Sequence, residues 1–370
     1  MSIEALVEIS RFYGTNPDYV LAGGGNTSWK DSDTLYVKGS GIALASVVPA
    51  SFVKMDRNAL ARIWEKSYLK ASDERESAVL ADMMAARKAG EEQKRPSVEA
   101  LLHDILPFAF VVHLHPALVN GLTCSQRGEA AMKEIFDHKA FWIPSTNPGY
   151  ILAKQVKTAM EYYLAKYSKP TAIIFLQNHG VFAGAESVEG IKELYVEVMS
   201  KIGAMIRRKP DFAGEIRESG GAVVEITRTL AELAGGSAAF LCDHEIAALV
   251  KDRTSFAPVS SAFTPDHIVY AGSDPLFSEA KTETGLREAW KNHIQKTGRN
   301  PKIIAVQGLG VFGAAATEKA AGLALELFRD AVKVAVYAES FGGPRFMTRD
   351  QIEFINNWEV ERFRSGVSTK

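Results

Sequence analysis

The amino-acid sequence predicts an α/β protein of layered architecture. Short apolar segments with strand character alternate with longer amphipathic segments, a pattern typical of sheets covered by helices. The composition shifts to polar, Gly-containing sequence at about 209–222, which predicts a domain boundary. The segment 173–184 also recurs in similar form at 303–314, which predicts a second, related α/β domain.

The predicted elements of the first domain follow one another in a simple order. An amphipathic helix opens the chain, followed by a Gly-rich turn at 23–28, a strand at 34–37 and a second Gly-rich turn at 39–41. Helices are predicted at 50–66, 73–89 and 97–105, the last with Ser97 as its N-cap. A strand at 109–115, a helix at 150–166, a strand at 171–177 and a helix at 186–208 complete the unit.

Composition and charge exclude several classes of protein. The chain has 43 basic and 44 acidic residues among 370, so no global field attracts nucleic acid or a membrane surface. No stretch approaches about eighteen apolar residues, and the start lacks the features of a signal peptide. Cys124 and Cys242 are the only cysteines, which rules out a disulfide framework. We therefore expect a cytoplasmic protein.

The second half of the sequence resembles a degenerate copy of the first. Aligning Gln177 with Gln307 sets His179 against Leu309, and both segments precede a long helix. A weaker match sets the segment 111–115 over 268–272, which removes two further histidines. We therefore predict a catalytic domain at 1–212 and a related domain without metal ligands at 222–370.

A Gly-rich motif at 308–313 raises the alternative of dinucleotide binding. It has the form G-x-G-x-x-G after an apolar strand and before a helix. A nucleotide fold requires a second strand that ends in an acidic residue about twenty residues later, but here the helical pattern continues. We interpret the motif as a tight strand turn instead.

Histidines at two strand ends point to a metal site. His113 and His115 lie one residue apart at the end of an apolar strand, so both imidazoles project from one face ~7 Å apart along the backbone. His179 ends a second apolar run, next to Gly180, and Glu99 lies upstream. Three imidazoles and one carboxylate match the ligand set of a catalytic zinc site, which keeps one position exchangeable.

Small residues near these ligands predict an anion site. Main-chain amides of Gly-rich turns can form a concave nest, completed by small polar side chains and a nearby positive charge. A helix that starts at Ser97 would also direct its N-terminus at the anion. The candidate phosphate-binding residues are Gly25, Asn26, Lys38, Ser40, Gly41 and Ser97.

These motifs together resemble those of the class II aldolase/adducin family. The motifs are 25–28, 40–42, Ser97 with Glu99, His113-x-His115 and 178–180. More narrowly, the chain is similar to the aldolase part of bifunctional rhamnulose-1-phosphate aldolase/alcohol dehydrogenase proteins, and it ends where their dehydrogenase part would begin. The resemblance implies a three-layer α/β/α domain in the first half and metal-dependent carbon–carbon lyase activity.

Carried over residue by residue, the resemblance implies one Zn²⁺ ion, or another divalent transition metal in its place, on His113, His115 and His179. Glu99 would be a resting-state ligand or near-ligand that transfers a proton once substrate binds. Fuculose-phosphate members carry a second serine where this chain has Val98, and they use a tyrosine that the segment 139–142 does not offer. The second proton donor is therefore unassigned.

The expected activity is cleavage of a ketose or ketose 1-phosphate to dihydroxyacetone or its phosphate and an aldehyde. Sugar-phosphate 4-epimerase, dehydratase and decarboxylase chemistry are alternatives, although Glu99 favours aldolase because the epimerases tend to have aspartate there. A non-catalytic scaffold like adducin is a third alternative, disfavoured because all three histidines are present. Asp266, His267 and Asp274 could supply further ligands, but we expect them to serve turns and caps. A small sugar substrate and a homo-oligomer are expected.

Overall fold

A computed structural model describes residues 3–69, 72–216 and 220–358 of the chain. Residues 1–2 of the predicted opening helix, 217–219 of the predicted domain boundary and 359–370 of the predicted second domain lie outside the described residues. In the described part, no helix combines the length and apolar character needed to cross a bilayer.

The strands in chain order are β1 (Asn26–Lys30), β2 (Thr34–Lys38), β3 (Phe52–Asp56), β4 (Phe110–Leu114), β5 (Ala140–Ile143), β6 (Ile173–Leu176), β7 (Gly180–Ala185), β8 (Ser237–Leu241), β9 (Leu276–Ser278), β10 (Ile303–Val306) and β11 (Gly310–Ala315). The helices are α1 (Ile3–Gly14), α2 (Arg57–Ile63), α3 (Ser72–Ala85), α4 (Ala100–Ile105), α5 (Ala117–Thr123), α6 (Gly128–Phe136), α7 (Tyr150–Tyr167), α8 (Val188–Gly203), α9 (Ala222–Ala234), α10 (His244–Leu249), α11 (Arg253–Phe256), α12 (Glu283–Thr297), α13 (Glu318–Ala338) and α14 (Arg349–Asn357).

The N-terminal half forms a three-layer α/β/α structure. Its sheet has the strand order β3-β2-β1-β4-β7-β6-β5. One face packs against α1, α5, α6 and α8, and the opposite face packs against α2, α3, α4 and α7. Side chains alternate between the faces along β4, so Val112 contributes to one core and Val111 to the other. The predicted layered α/β fold is confirmed for this half.

Three local predictions in this half are wrong. The predicted helix at 50–66 contains strand β3, because Phe52–Asp56 pairs with β2 along its whole length. The predicted turn at 23–28 ends earlier, since β1 begins at Asn26. Helix α4 begins at Ala100 with Glu99 as its N-cap, and the Ser97 hydroxyl instead accepts a hydrogen bond from the Glu99 amide.

The C-terminal half contains a second, smaller sheet with the order β8-β11-β10-β9. Its pairings are antiparallel, antiparallel and parallel, the same series as β4-β7-β6-β5 in the first sheet. Equivalent backbone hydrogen bonds occur at the two turns. The Gln177 main-chain amide donates to the Ile143 carbonyl, and the Gln307 main-chain amide donates to the Ser278 carbonyl. The second sheet thus repeats four of the seven strands of the first.

In the C-terminal half, one predicted sequence match is wrong and the interpretation of the Gly-rich motif as a strand turn is confirmed. Residues His267–Ala271 form a π-helical turn, so they are not the counterpart of β4 and the predicted match of 111–115 to 268–272 is wrong. The Gly-rich motif at 308–313 lies in the hairpin between β10 and the antiparallel strand β11, as expected for a strand turn. A dinucleotide-binding turn would connect a strand to a helix instead.

The two halves share a hydrophobic core. Ala117 and Cys124, which lie at the two ends of α5, pack with the apolar residues of α13 and the π-helical turn. The side chain of Asn178, next to the predicted ligand His179, donates hydrogen bonds to the carbonyls of Phe263 and Arg345. The C-terminal half is therefore docked beside the end of β4, where the candidate site lies.

Candidate metal centre and substrate pocket

Three imidazoles meet at the end of β4. His113 lies in β4, His115 follows that strand, and His179 lies in the turn between β6 and β7, which places the rings together because β4 and β7 are neighbours. The Nε2 atom of His113 is 3.3 Å from His179 Nε2 and 2.9 Å from His115 Nε2. Two nitrogens bound tetrahedrally to zinc at about 2.0–2.1 Å would lie ~3.3 Å apart, so the spacing fits a metal.

The carboxylate of Glu99 lies next to the same three rings. Its Oε2 is 3.6 Å from His113 Nε2 and its Oε1 is 3.5 Å from His179 Nε2. The Oε1 atom is buried and has no hydrogen-bond partner among the described residues. A buried carboxylate oxygen without a partner is costly, and a bound cation would compensate that cost. The donor set therefore suits a divalent transition metal.

Contacts orient the His113 ring as a candidate ligand, and burial keeps His179 neutral. His113 Nδ1 is 3.0 Å from the carbonyl of Val181, which can only accept, so the proton is on Nδ1 and the lone pair of Nε2 is available. His113 also stacks on Phe182, with ring centroids 4.0 Å apart. Burial lowers the pKa of His179 to about 3, so this ring is neutral at physiological pH, as metal binding requires.

His103, which the sequence did not single out, positions Glu99 through the side chain of Asn26. The Asn26 side-chain amide donates to Glu99 Oε2 at 2.6 Å, and its carbonyl oxygen accepts from His103 Nε2. Ser28 donates to His103 Nδ1 at 2.7 Å, which fixes the tautomer of the ring. Burial keeps the pKa of His103 well below its usual value. The signal was available, since Glu99 and His103 are four residues apart at the start of a helix.

A pocket above the histidine cluster contains most of the predicted site. Its lining includes Gly25, Asn26, Lys38, Ser40, Gly41, Ser97, Glu99, His115 and His179. His113 lies behind this surface and is fully buried. Val98, Pro148 and Pro265 also line the pocket, so the C-terminal half contributes to its wall. The structure thus brings together all ten predicted site residues.

The predicted anion nest is only partly available. The backbone amide of Ser40 donates a hydrogen bond to the Arg95 carbonyl, and that of Ser97 donates one to the Lys38 carbonyl. The Lys38 ammonium is buried and donates to the Ile42 carbonyl at 2.6 Å. Gly41 has a φ of 80°, a left-handed conformation that favours glycine. The hydroxyls of Ser40 and Ser97, rather than their amides, are therefore the candidate donors to an anion.

The three polar residues expected to serve turns and caps have different environments. Asp266 contacts His115, so a turn or cap function is wrong for this residue. His267 instead forms a buried pair with Asp330, with Nε2 and Oδ2 3.0 Å apart. Asp274 binds the Arg349 guanidinium and the Ser273 hydroxyl at the protein surface, away from the pocket.

Comparison with known proteins identifies the family. A Bacillus subtilis (strain 168) protein described as the uncharacterized oxidoreductase YuxG is 21% identical over 418 residues, covering 98% of this chain, and the chain spans 58% of that relative's length. The N-terminal class II aldolase domain of a conserved Thermoplasma acidophilum protein is 27% identical, with a TM-score of 0.48, covering 56% of this chain and 94% of that one. An L-fuculose 1-phosphate aldolase is 19% identical, with a TM-score of 0.39, covering 55% and 83% respectively. The model of the Class II Aldolase and Adducin N-terminal domain matches residues 4–200, and the chain belongs to this family.

Proposed function

We propose that this protein is a metal-dependent aldolase that cleaves a ketose or ketose 1-phosphate. The observation that carries the proposal is the convergence of three imidazoles and the Glu99 carboxylate below a pocket lined by small polar residues. Zn²⁺ is the metal we expect on His113, His115 and His179. When bound, a divalent cation there would act as a Lewis acid and stabilise the negative charge of an enediolate.

Glu99 is the proposed proton-transfer group. In the cleavage direction, the electrons of the broken carbon–carbon bond form an enediolate, and a proton must then be added to its carbon. Asn26 donates to Oε2 of Glu99 at 2.6 Å, whereas Oε1, 3.5 Å from His179 Nε2, has no hydrogen-bond partner among the described residues and is the proposed proton carrier. In the reverse direction the same oxygen would remove that proton.

The rest of the pocket is proposed to bind the substrate. The Ser40 and Ser97 hydroxyls and the buried Lys38 ammonium would hold a phosphate or the terminal hydroxyl of a free ketose, with Gly25, Asn26 and Gly41 closing around it. Val98 supplies no hydroxyl at this wall, so both phosphorylated and free ketoses are candidates. The group that accepts the hydroxyl proton on the aldehyde fragment is not assigned. The cytoplasmic location and the homo-oligomer stay predictions.

The test combines a substrate screen with metal analysis. Ketose 1-phosphates and free ketoses would be incubated with the purified protein, and aldehyde release would be measured with and without a chelator. We expect release that stops with the chelator and returns when Zn²⁺ is added. A protein that binds metal but cleaves no ketose would favour epimerase, dehydratase or decarboxylase chemistry, and one that binds no metal would favour a scaffold.

A further inference from the structure

Asp266 of the C-terminal half contacts a proposed ligand of the N-terminal half. Its Oδ2 is 2.5 Å from His115 Nδ1, and the two residues are 151 positions apart in the sequence. Both side chains are more than nine-tenths buried. The contact therefore depends on how the two halves of the chain are docked.

Asp266 contacts Nδ1 of the His115 ring, and this position decides whether Asp266 can bind a metal itself or can only orient the ring. A carboxylate accepts hydrogen bonds, so the proton of His115 lies on Nδ1, which leaves the Nε2 lone pair directed toward His113. Asp266 does not reach the metal-facing nitrogen and is therefore not placed as a ligand. In many metal sites, a carboxylate on the remote nitrogen of a histidine sets its tautomer and ring orientation.

Contacts of the residues on both sides of Asp266 hold this part of the chain in place. The Phe263 carbonyl, three residues earlier, accepts hydrogen bonds from the Asn178 amide at 3.1 Å and from the Cys124 thiol at 3.7 Å. His267, the next residue, is bound to Asp330 on α13. A Cβ at Gly24 would lie 2.5 Å from Asp266 Oδ2 and 3.2 Å from His115 Nδ1, so glycine at this position leaves room for the contact.

We propose that Asp266 is a positioning residue that holds His115 in its metal-binding orientation, so that the affinity of the N-terminal half for metal depends on the docked C-terminal half. The inference rests on the metal site of the proposed function. The sheet of the C-terminal half has no histidine cluster within the described residues. The inference nevertheless gives that half a direct function in the site.

The test measures metal affinity, not activity. Full-length wild type, Asp266→Asn and Asp266→Ala would compete for Zn²⁺ with a chromophoric chelator. We expect a loss of about 10–100-fold for Asp266→Ala, and a smaller loss for Asp266→Asn, whose carbonyl oxygen can still accept from Nδ1 but carries no charge. Substitution of the ion by Co²⁺ should also show an altered visible spectrum in both variants.

The matched control is Asp243→Ala, which removes another buried aspartate of the same half, one that accepts from the Ile246 amide and pairs with Arg329 outside the pocket. It should lower the melting temperature yet bind Zn²⁺ like the wild type. If Asp266→Ala and Asp266→Asn bind Zn²⁺ within about twofold of wild type, the positioning function is wrong while the proposed function stands. If the wild type itself binds no Zn²⁺, both fail.

Discussion

Phe240 occupies in the second sheet the position that His113 occupies in the first. His113 on β4 is paired with Phe182 on β7, and Phe240 on β8 is paired with Phe312 on β11. Each residue contacts the ring of its partner, with centroids 4.0 Å apart in the first sheet and 4.9 Å in the second. The register therefore sets Cys242, not a histidine, where the first half has His115.

This relationship predicts one metal ion per chain. The second sheet offers Phe240, Cys242 and Leu309 where the first offers His113, His115 and His179, so it lacks the donors for a second ion. Metal analysis of the purified protein by mass spectrometry should give about one ion per chain, falling to nearly zero in His179→Ala. A stoichiometry of two in the wild type would contradict the assignment.

Glu99→Gln should retain the metal and lose most of the turnover. The glutamine carbonyl can still accept from Asn26, so the packing of the pocket is preserved, but the side chain can no longer carry a proton. We expect kcat to fall about 10²–10⁴-fold, measured as aldehyde release on the ketose found in the screen. Wild-type turnover in this variant would remove Glu99 from the mechanism.

His103→Leu tests the orientation of Glu99. Loss of the ring leaves the Asn26 carbonyl oxygen without its donor, so the amide is no longer held with its NH₂ group toward Glu99. We expect kcat to fall about 10–100-fold with the metal content unchanged. His138→Leu, at an exposed histidine outside the pocket, is the control and should match wild type.

Gly180→Ala and Gly310→Ala form a matched pair across the repeat. A Cβ at Gly180 would lie 2.5 Å from the Leu114 carbonyl and 2.7 Å from His115 Cδ2, whereas a Cβ at Gly310 would lie 2.5 Å from the Phe240 ring. Each variant should lose about 1–3 kcal/mol in urea denaturation because of overpacking. Zinc affinity should fall only in Gly180→Ala, and an equal fall in Gly310→Ala would argue against a local cause.

Lys30 predicts a pH dependence of stability. Burial lowers its pKa from 10.5 to about 7, while its ammonium group donates to the His103 carbonyl at 2.6 Å. Between pH 7 and 10.5 the unfolded chain binds this proton and the folded chain does not, so the residue's contribution to the free energy of unfolding increases with pH.

Lys30→Met should remove that contribution. We expect the wild type to gain stability relative to the variant between pH 7.5 and 9.5, by at most about 1.4 kcal/mol per pH unit, in urea titrations. Lys54→Met, at an exposed lysine of β3, is the control and should show no such difference. If the difference in free energy of unfolding between the wild type and Lys30→Met does not change with pH, Lys30 is not neutral in the folded protein.

The sequence by itself determined the residues of the candidate site and the local geometry of its candidate ligands. Alternation along a strand puts His113 and His115 on one side, and a tight turn presents His179, so short-range periodicity was sufficient. The same local patterns failed at Phe52–Asp56, where pairing with β2 overrides helical periodicity.

Only the tertiary structure decided which distant groups support those ligands. The contact of Asp266 with His115 and the match of Phe240 to His113 depend on docking and on strand register, and neither has a signature at short sequence separation. The physical reason is that backbone periodicity sets the direction of a side chain, whereas the packing of separate elements decides what that side chain meets.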